Sequence, residues 1–309
     1  MYEVELIKKK RIKKGKVQYL IKWKGYNNRH NVWRDQSDLD CNDLIMEFER
    51  SLECAHITVP TEPAACLQSD QEVDRQAAVL FGPDLEYARY AVASLMHKQG
   101  LEGDVDEYLP GYCTEIRNIL KRRAILQDPA SATQIRKEHQ VGRLRMILEL
   151  KRSGRKKGRL VVQGFREPEE WDDGSNMSPV AYADTIRMLL LMNGQPGDVI
   201  SSNDVSVAVL QAAEFSESDE RFVSYKAYKS AVEHVLRLYG PLYGQRCASK
   251  RWYLTIATWL CDNGFIQAKN EPCLFVNNVT GMRVVLYVDD LLCRGSMSAS
   301  TEFHDLLES

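Results

Sequence analysis

Two apolar runs, Met282-Arg283-Val284-Val285-Leu286-Tyr287-Val288 and Leu291-Leu292-Cys293, meet at Asp289-Asp290. Short runs rich in β-branched and large apolar residues read as strands, and only a tight hairpin fits the polar break between these two. Aspartate is common in turns, so the pair could be plain turn chemistry. Adjacent carboxylates also repel each other unless a divalent cation offsets their charge. Apolar flanks bury the hairpin, where paired carboxylates have little reason to be other than such chemistry.

A third carboxylate extends that reading. Asp198-Val199-Ile200-Ser201-Ser202-Asn203-Asp204-Val205 is predicted to be a strand ending at Asp204, followed by a helix-like stretch from Val207 to Ala213. Nucleotidyl transfer uses two magnesium ions held by a few carboxylates on adjacent strands. One ion activates the attacking 3′-hydroxyl and the other stabilises the leaving pyrophosphate. Asp204, Asp289 and Asp290 are the candidate catalytic and metal-binding set.

The N-terminal stretch carries a different chemistry. Tyr2 opens an alternating strand, and Trp23 and Tyr26 fall close together in Trp23-Lys24-Gly25-Tyr26. A methylated ammonium group is a poor hydrogen-bond donor, so a protein holds it with the negative faces of aromatic rings. The same rings would also serve as the core of a small sheet. Gly15 suits a strand-to-strand turn, Asn42 a helix N-cap, and Leu44, Ile45, Phe48 and Leu52 share one helical face. That face would cover a sheet too small to be stable bare.

These residues, with Tyr2-Glu3-Val4-Glu5, Arg11 to Lys16, Trp33 and Leu39-Asp40-Cys41, resemble a chromodomain. The resemblance implies a methyl-lysine cage of Tyr2, Trp23 and Tyr26, a structural Trp33, a methylated histone H3 tail as partner and a place in the nucleus. His30 and Arg34 stand where that family usually carries acidic residues, and Asp35 where a proline is common. Loss of carboxylates beside a cationic tail should weaken attraction. Only Met1 precedes Tyr2, so the flank that helps clamp a peptide is expected to be missing.

A second resemblance runs through the C-terminal two-thirds. Gly158 to Phe165, Met177-Ser178-Pro179-Val180, Thr185-Ile186-Arg187, Asp204-Val205, Leu242-Tyr243-Gly244, Trp252-Tyr253, Asn263-Gly264-Phe265, Glu271 to Phe275 and Tyr287-Val288-Asp289-Asp290 follow one another as in the reverse transcriptase of copia-like retrotransposons. The resemblance implies a fingers-and-palm fold, Mg2+ as cofactor, an RNA or DNA template-primer as partner, and Arg159 near the incoming triphosphate. Val209 replaces an aromatic that blocks a ribose 2′-hydroxyl, and Cys247 replaces a nucleotide-contacting glutamine. The short stretch after Asp290 implies a region without thumb or ribonuclease H, and weak or absent synthesis by the chain alone.

The whole is expected to be α+β and multidomain. A chromodomain over 1–54, with a three-stranded sheet and C-terminal helix, precedes a linker over 55–111, punctuated by prolines and glycines and carrying one helix over 84–98. A partial fingers-and-palm reverse transcriptase follows over 112–309. At 309 residues and 44% hydrophobic content, the chain can bury several cores. The net charge of −2 averages opposed segments, with Lys8 to Lys16 and Arg143 to Arg159 basic. Such blocks favour polyanions, which makes Lys8 to Lys16 a candidate nucleic-acid contact. The 8 cysteines form no Cys-x-x-Cys pair, which points to reduced thiols. With no signal peptide and no long uncharged apolar run, neither secretion nor membrane insertion is indicated. No phosphate loop, zinc-protease motif or serine elbow is present, and the six histidines are dispersed.

Overall fold

The computed structural model describes residues 4–46, 48, 69–82, 84–127, 132–172, 177–192, 194–226 and 233–308. They fall into two compact units, one comprising Met1–Asn176 with Ala213–Ala248 and the other Met177–Ala212 with Ser249–Ser309.

The first unit opens with an antiparallel sheet of β1 (Val4–Lys13), β2 (Lys16–Trp23) and β3 (Val32–Asp35), in that order. Lys13 pairs with Lys16, so Lys14 and Gly15 alone turn the chain, both at positive φ. That is the backbone a two-residue hairpin needs to match strand twist, and Gly15 adopts it without strain. Ile7, Tyr19 and Ile21 on one sheet face pack with Ile45 of a helix, α1, over residues 42–46. The amide of Ile45 bonds the carbonyl of Cys41, so Cys41 occupies the cap position and Asn42 is already helical. Leu52 lies outside the described residues.

Three helices follow where a linker was expected: α2 (Asp70–Phe81), α3 (Leu85–Gln99) and α4 (Val105–Lys121). The expected boundary at 111 falls inside α4, and Pro110-Gly111 does not break the helix. The reason is packing. Gly111 lies against the backbone of β6 (Lys156–Val162), where an added Cβ would meet Lys156, Lys157 and Gly158 within about 3 Å. The helix can approach the strand that closely only without a side chain there. Glu115 of α4 accepts the amide of Leu160 at 3.0 Å, a second tie to the same strand. In α3 Ala91, Val92 and Met96 are buried, whereas Leu85 is exposed.

Beyond α4, the second sheet has the order β4 (Ile125–Gln127), β9 (Glu233–Leu238), β8 (Arg221–Lys226), β5 (Val141–Leu150), β6. The helix α5 (Ala132–Glu138) precedes β5. Gly142, Leu144, Met146 and Leu148 of β5 are buried and Arg143 and Arg145 exposed, the period-2 alternation of a strand with one covered face.

The second unit holds the sheet β10 (Ile266–Ala268), β11 (Glu271–Val276), β12 (Arg283–Tyr287), β13 (Asp290–Ser296), β7 (Asp198–Asp204). The helices α6 (Ala183–Leu191), α7 (Ala248–Asp262) and α8 (Met297–Glu308) complete it. Its core runs from Trp252, Ile256 and Leu260 of α7 through Phe275, Val284, Val285, Leu286, Leu291 and Cys293 of the strands to Phe303 of α8. The stretch expected to be helical from Val207 is a short 3₁₀ turn, Ala208–Gln211, entered through Val207 at φ 50°. Among the described residues no helix is long and apolar enough to cross a membrane.

Candidate active site and methyl-lysine site

The carboxylates meet at one end of the second unit's sheet. Asp204 is the last residue of β7 and Asp290 the first of β13, and the two are direct register partners in an antiparallel pair. Directly opposed residues on such strands project to the same face, so two exposed negative charges sit side by side where like charges destabilise a sheet.

Asp289 lies in the adjoining turn. Tyr287 pairs with Asp290, leaving Val288 and Asp289 as the two-residue loop between β12 and β13. The carbonyl of Asp289 accepts the amide of Val205 at 3.2 Å, and that of Val288 accepts Trp252 Nε1 at 2.9 Å. The turn is therefore pinned on one side by the end of β7 and on the other by α7. Val288 has φ 57°, a left-handed conformation that a β-branched residue adopts only at a cost. This strain is a feature that sequence reading missed, although the valine at the hairpin tip was its signal. Behind the carboxylates, Asn203 Nδ2 lies 3.6 Å from Cys293 Sγ, and burial pushes the Cys293 thiol up to about 12.

Hard oxygen donors on exposed strand ends fit Mg2+, which keeps several waters and takes one or two protein carboxylates alongside substrate phosphates. Among the described residues no group of three or more His, Cys, Asp or Glu side chains is arranged to hold a metal ion. The opposed pair Asp204 and Asp290 is what the fold brings together; Asp289 joins it through the backbone of the turn.

Of the other expected nucleotide contacts, Val209 belongs to the second unit and Cys247 and Arg159 to the first. Val209 is buried in the 3₁₀ turn after β7. Cys247 is buried in the first unit, with Arg221 Nη1 at 3.3 Å from its Sγ, so its thiol faces the interior. Arg159 stands on β6, with Glu149 at 3.7 Å and its guanidinium 5.1 Å from the Tyr243 ring centroid.

Of the expected cage, Trp23 ends β2, half-buried against the small sheet's core, and its carbonyl accepts the amide of Tyr26 at 3.2 Å. Tyr26 is 42% exposed, with its ring edge toward His30 at 5.6 Å between centroids. Tyr2 lies outside the described residues; Val4 pairs with Trp23, which brings the start of β1 beside that ring. Trp33 lies against the Arg11 guanidinium, 4.1 Å from its ring centroid.

A family model described as reverse transcriptase (RNA-dependent DNA polymerase) matches residues 133–308, more than half of the chain. The chain belongs to that family. A chromo (chromatin organisation modifier) domain model matches residues 2–51 of this reverse transcriptase-family chain. Heterochromatin protein 1 of Drosophila melanogaster is 50% identical over 50 residues, 16% of this chain and 24% of that protein. The retrovirus-related Pol polyprotein from transposon RE2 of Arabidopsis thaliana is 30% identical over 147 residues, 46% of this chain and 10% of that protein. The chain thus spans about a quarter of one relative and a tenth of the other. A solved foamy viral protease-reverse transcriptase in complex with double-stranded DNA aligns with 98% of this chain and 52% of its own, at 12% identity and a TM-score of 0.37. The chain is α+β and multidomain, a chromodomain sheet followed by a copia-type reverse transcriptase region.

Proposed function

We propose that this chain is a chromatin-associated, retrotransposon-derived protein of the nucleus, in which a methyl-lysine reader is fused to a polymerase region that binds a divalent ion but synthesises little DNA by itself. The observation that carries the polymerase half is the register pairing of Asp204 with Asp290 beside the pinned Asp289 turn. A bound Mg2+ supplies charge neutralisation for a 3′-hydroxyl nucleophile and a pyrophosphate leaving group. Asp204 and Asp290 hold the acidic face toward which that ion is drawn, and Asp289 is fixed next to it by Val205 and Trp252. Arg159 offers a cation for a triphosphate. The reading of low synthesis is supported by Cys247, whose thiol is turned inward where the family presents a glutamine; Val209, which supplies no ring against a ribose 2′-hydroxyl, would instead relax sugar discrimination.

The reader half rests on Trp23 and Tyr26 held together at the end of β2, with Tyr2 as third ring. The partner is a methylated histone H3 tail, and His30 and Arg34 reduce its electrostatic attraction. A second reading, an active magnesium-dependent reverse transcriptase guided to chromatin, is favoured by the intact Asp289-Asp290 hairpin. Primer extension on an RNA template with Mg2+ separates the two. Little or no product supports the first reading, and robust product abolished by Asp289→Asn supports the second.

A further inference from the structure

The middle of β2 is buried on both faces. Tyr19 and Ile21 point into the small sheet's own core, so Leu20 between them points the other way, and it is 2% exposed. Register puts Lys9 and Trp33 on either side of Leu20, and Arg11 beside Gln18 on the same face. A three-stranded sheet with one helix has nothing of its own to cover that second face.

The cover comes from two acidic segments far along the chain. Arg11, only 5% exposed, reaches Asp172 at 3.0 Å while stacking on Trp33, and Trp33 Nε1 donates to the carbonyl of Glu169 at 2.8 Å. Lys9 pairs with Asp219 at 2.8 Å. Asp219 is held in turn by Arg221, a fully buried guanidinium that stacks on Phe215 at 4.2 Å.

We infer that the second face of the chromodomain sheet is an intramolecular docking surface whose occupant is the chain's own Glu169–Asp172 and Asp219–Arg221 segments, so that the reader and the rest of the first unit form one body. A basic stripe with an apolar centre meets an acidic, partly aromatic surface, and each cation finds a carboxylate. The docking stands whether or not the cage binds methyl-lysine. It has a consequence for Lys8 to Lys16: Lys9 and Arg11 are held by carboxylates, which withdraws these two cations from any contact of the stretch with phosphates. It also means that the reader is oriented by contact and does not swing on a tether.

Hydrogen–deuterium exchange on the full chain tests the inference. Lys9→Glu sets a carboxylate against Asp219, and amides of 169–172 and 219–221 should exchange on the order of ten-fold faster, with β11 and β12 unchanged. Trp33→Phe keeps a ring but removes the bond to Glu169, and should speed exchange about five-fold at 169–172. Unchanged exchange in these segments in both variants would overturn the docking. If Lys9→Glu loosens β11 and β12 as well, Trp33→Phe decides: a local rise at 169–172 supports the docking, and no rise overturns it.

Discussion

Asp204 and Asp290 are register partners at the end of an antiparallel strand pair, two exposed carboxylates on one face of their sheet. Like charges directly opposite each other destabilise a sheet. Asp290→Asn should therefore raise the Tm of the ion-free protein slightly, measured in chelator. Added Mg2+ or Mn2+ should raise the Tm of the parent and that of the variant much less, because a ligand stabilises the state that binds it in proportion to its affinity.

Val288 stores strain beside this pair. Its left-handed φ disfavours a β-branched side chain, and that side chain is 49% exposed, so little packing depends on it. Val288→Gly should stabilise the fold by about 1 kcal/mol, the strain relieved exceeding glycine's entropic cost. Denaturant unfolding checks this, and a loss of stability would show the turn to be unstrained.

Glu170 gives the first unit a pH dependence. Burial pushes its carboxyl up to about 7, against the pull of the Gln140 amide and of Lys8 and Lys9, with Asp219 adding repulsion. A carboxyl with a raised folded-state pKa binds its proton more tightly when folded. Its contribution is favourable below about 4.5 and is lost as pH rises toward 7. His139 works in the opposite direction, because burial lowers its pKa and stability falls as pH drops through the histidine range. Glu170→Gln should remove the decline between pH 5 and 7, by on the order of 3 kcal/mol at most, in unfolding titrations. An unaltered pH profile would contradict the raising of the Glu170 carboxyl by burial.

The cage has its own test. Calorimetry with the full chain should show a trimethyl-lysine histone H3 peptide binding more tightly than its unmethylated form, and Trp23→Ala should abolish the difference. Arg34→Glu should strengthen binding of the cationic tail, since Arg34 is exposed. Equal affinity for both peptides would remove the reader half of the proposal.

Much of this was legible in the sequence because local patterns decided it. The alternation through Lys16 to Trp23, the Lys14-Gly15 turn and the apolar hairpin around Asp289 each specify a strand or turn within a few residues. The register of Asp204 with Asp290 was not legible, because it depends on a strand pairing between residues 86 apart in the chain. Pro110-Gly111 misled for a related reason: as local signals they break helices, yet Gly111 serves a close approach to β6 that only the tertiary fold reveals. Leu20 was the overlooked clue. An apolar residue on the polar face of a small sheet signalled a second cover, but period alone could not say what supplied it. Cys247 was placed near nucleotide by family position, whereas Arg221 draws its thiol into the interior.

The measurement closest to the central claim is a Mn2+ titration followed by electron paramagnetic resonance, comparing the full chain with Asp290→Asn and Asp289→Asn. Opposed carboxylates at a pinned turn should bind Mn2+ in competition with Mg2+, with binding much weakened by Asp290→Asn and reduced by Asp289→Asn. Mn2+ binding of equal strength in all three proteins would contradict the assignment of this strand end as the metal-binding heart of the reverse transcriptase region.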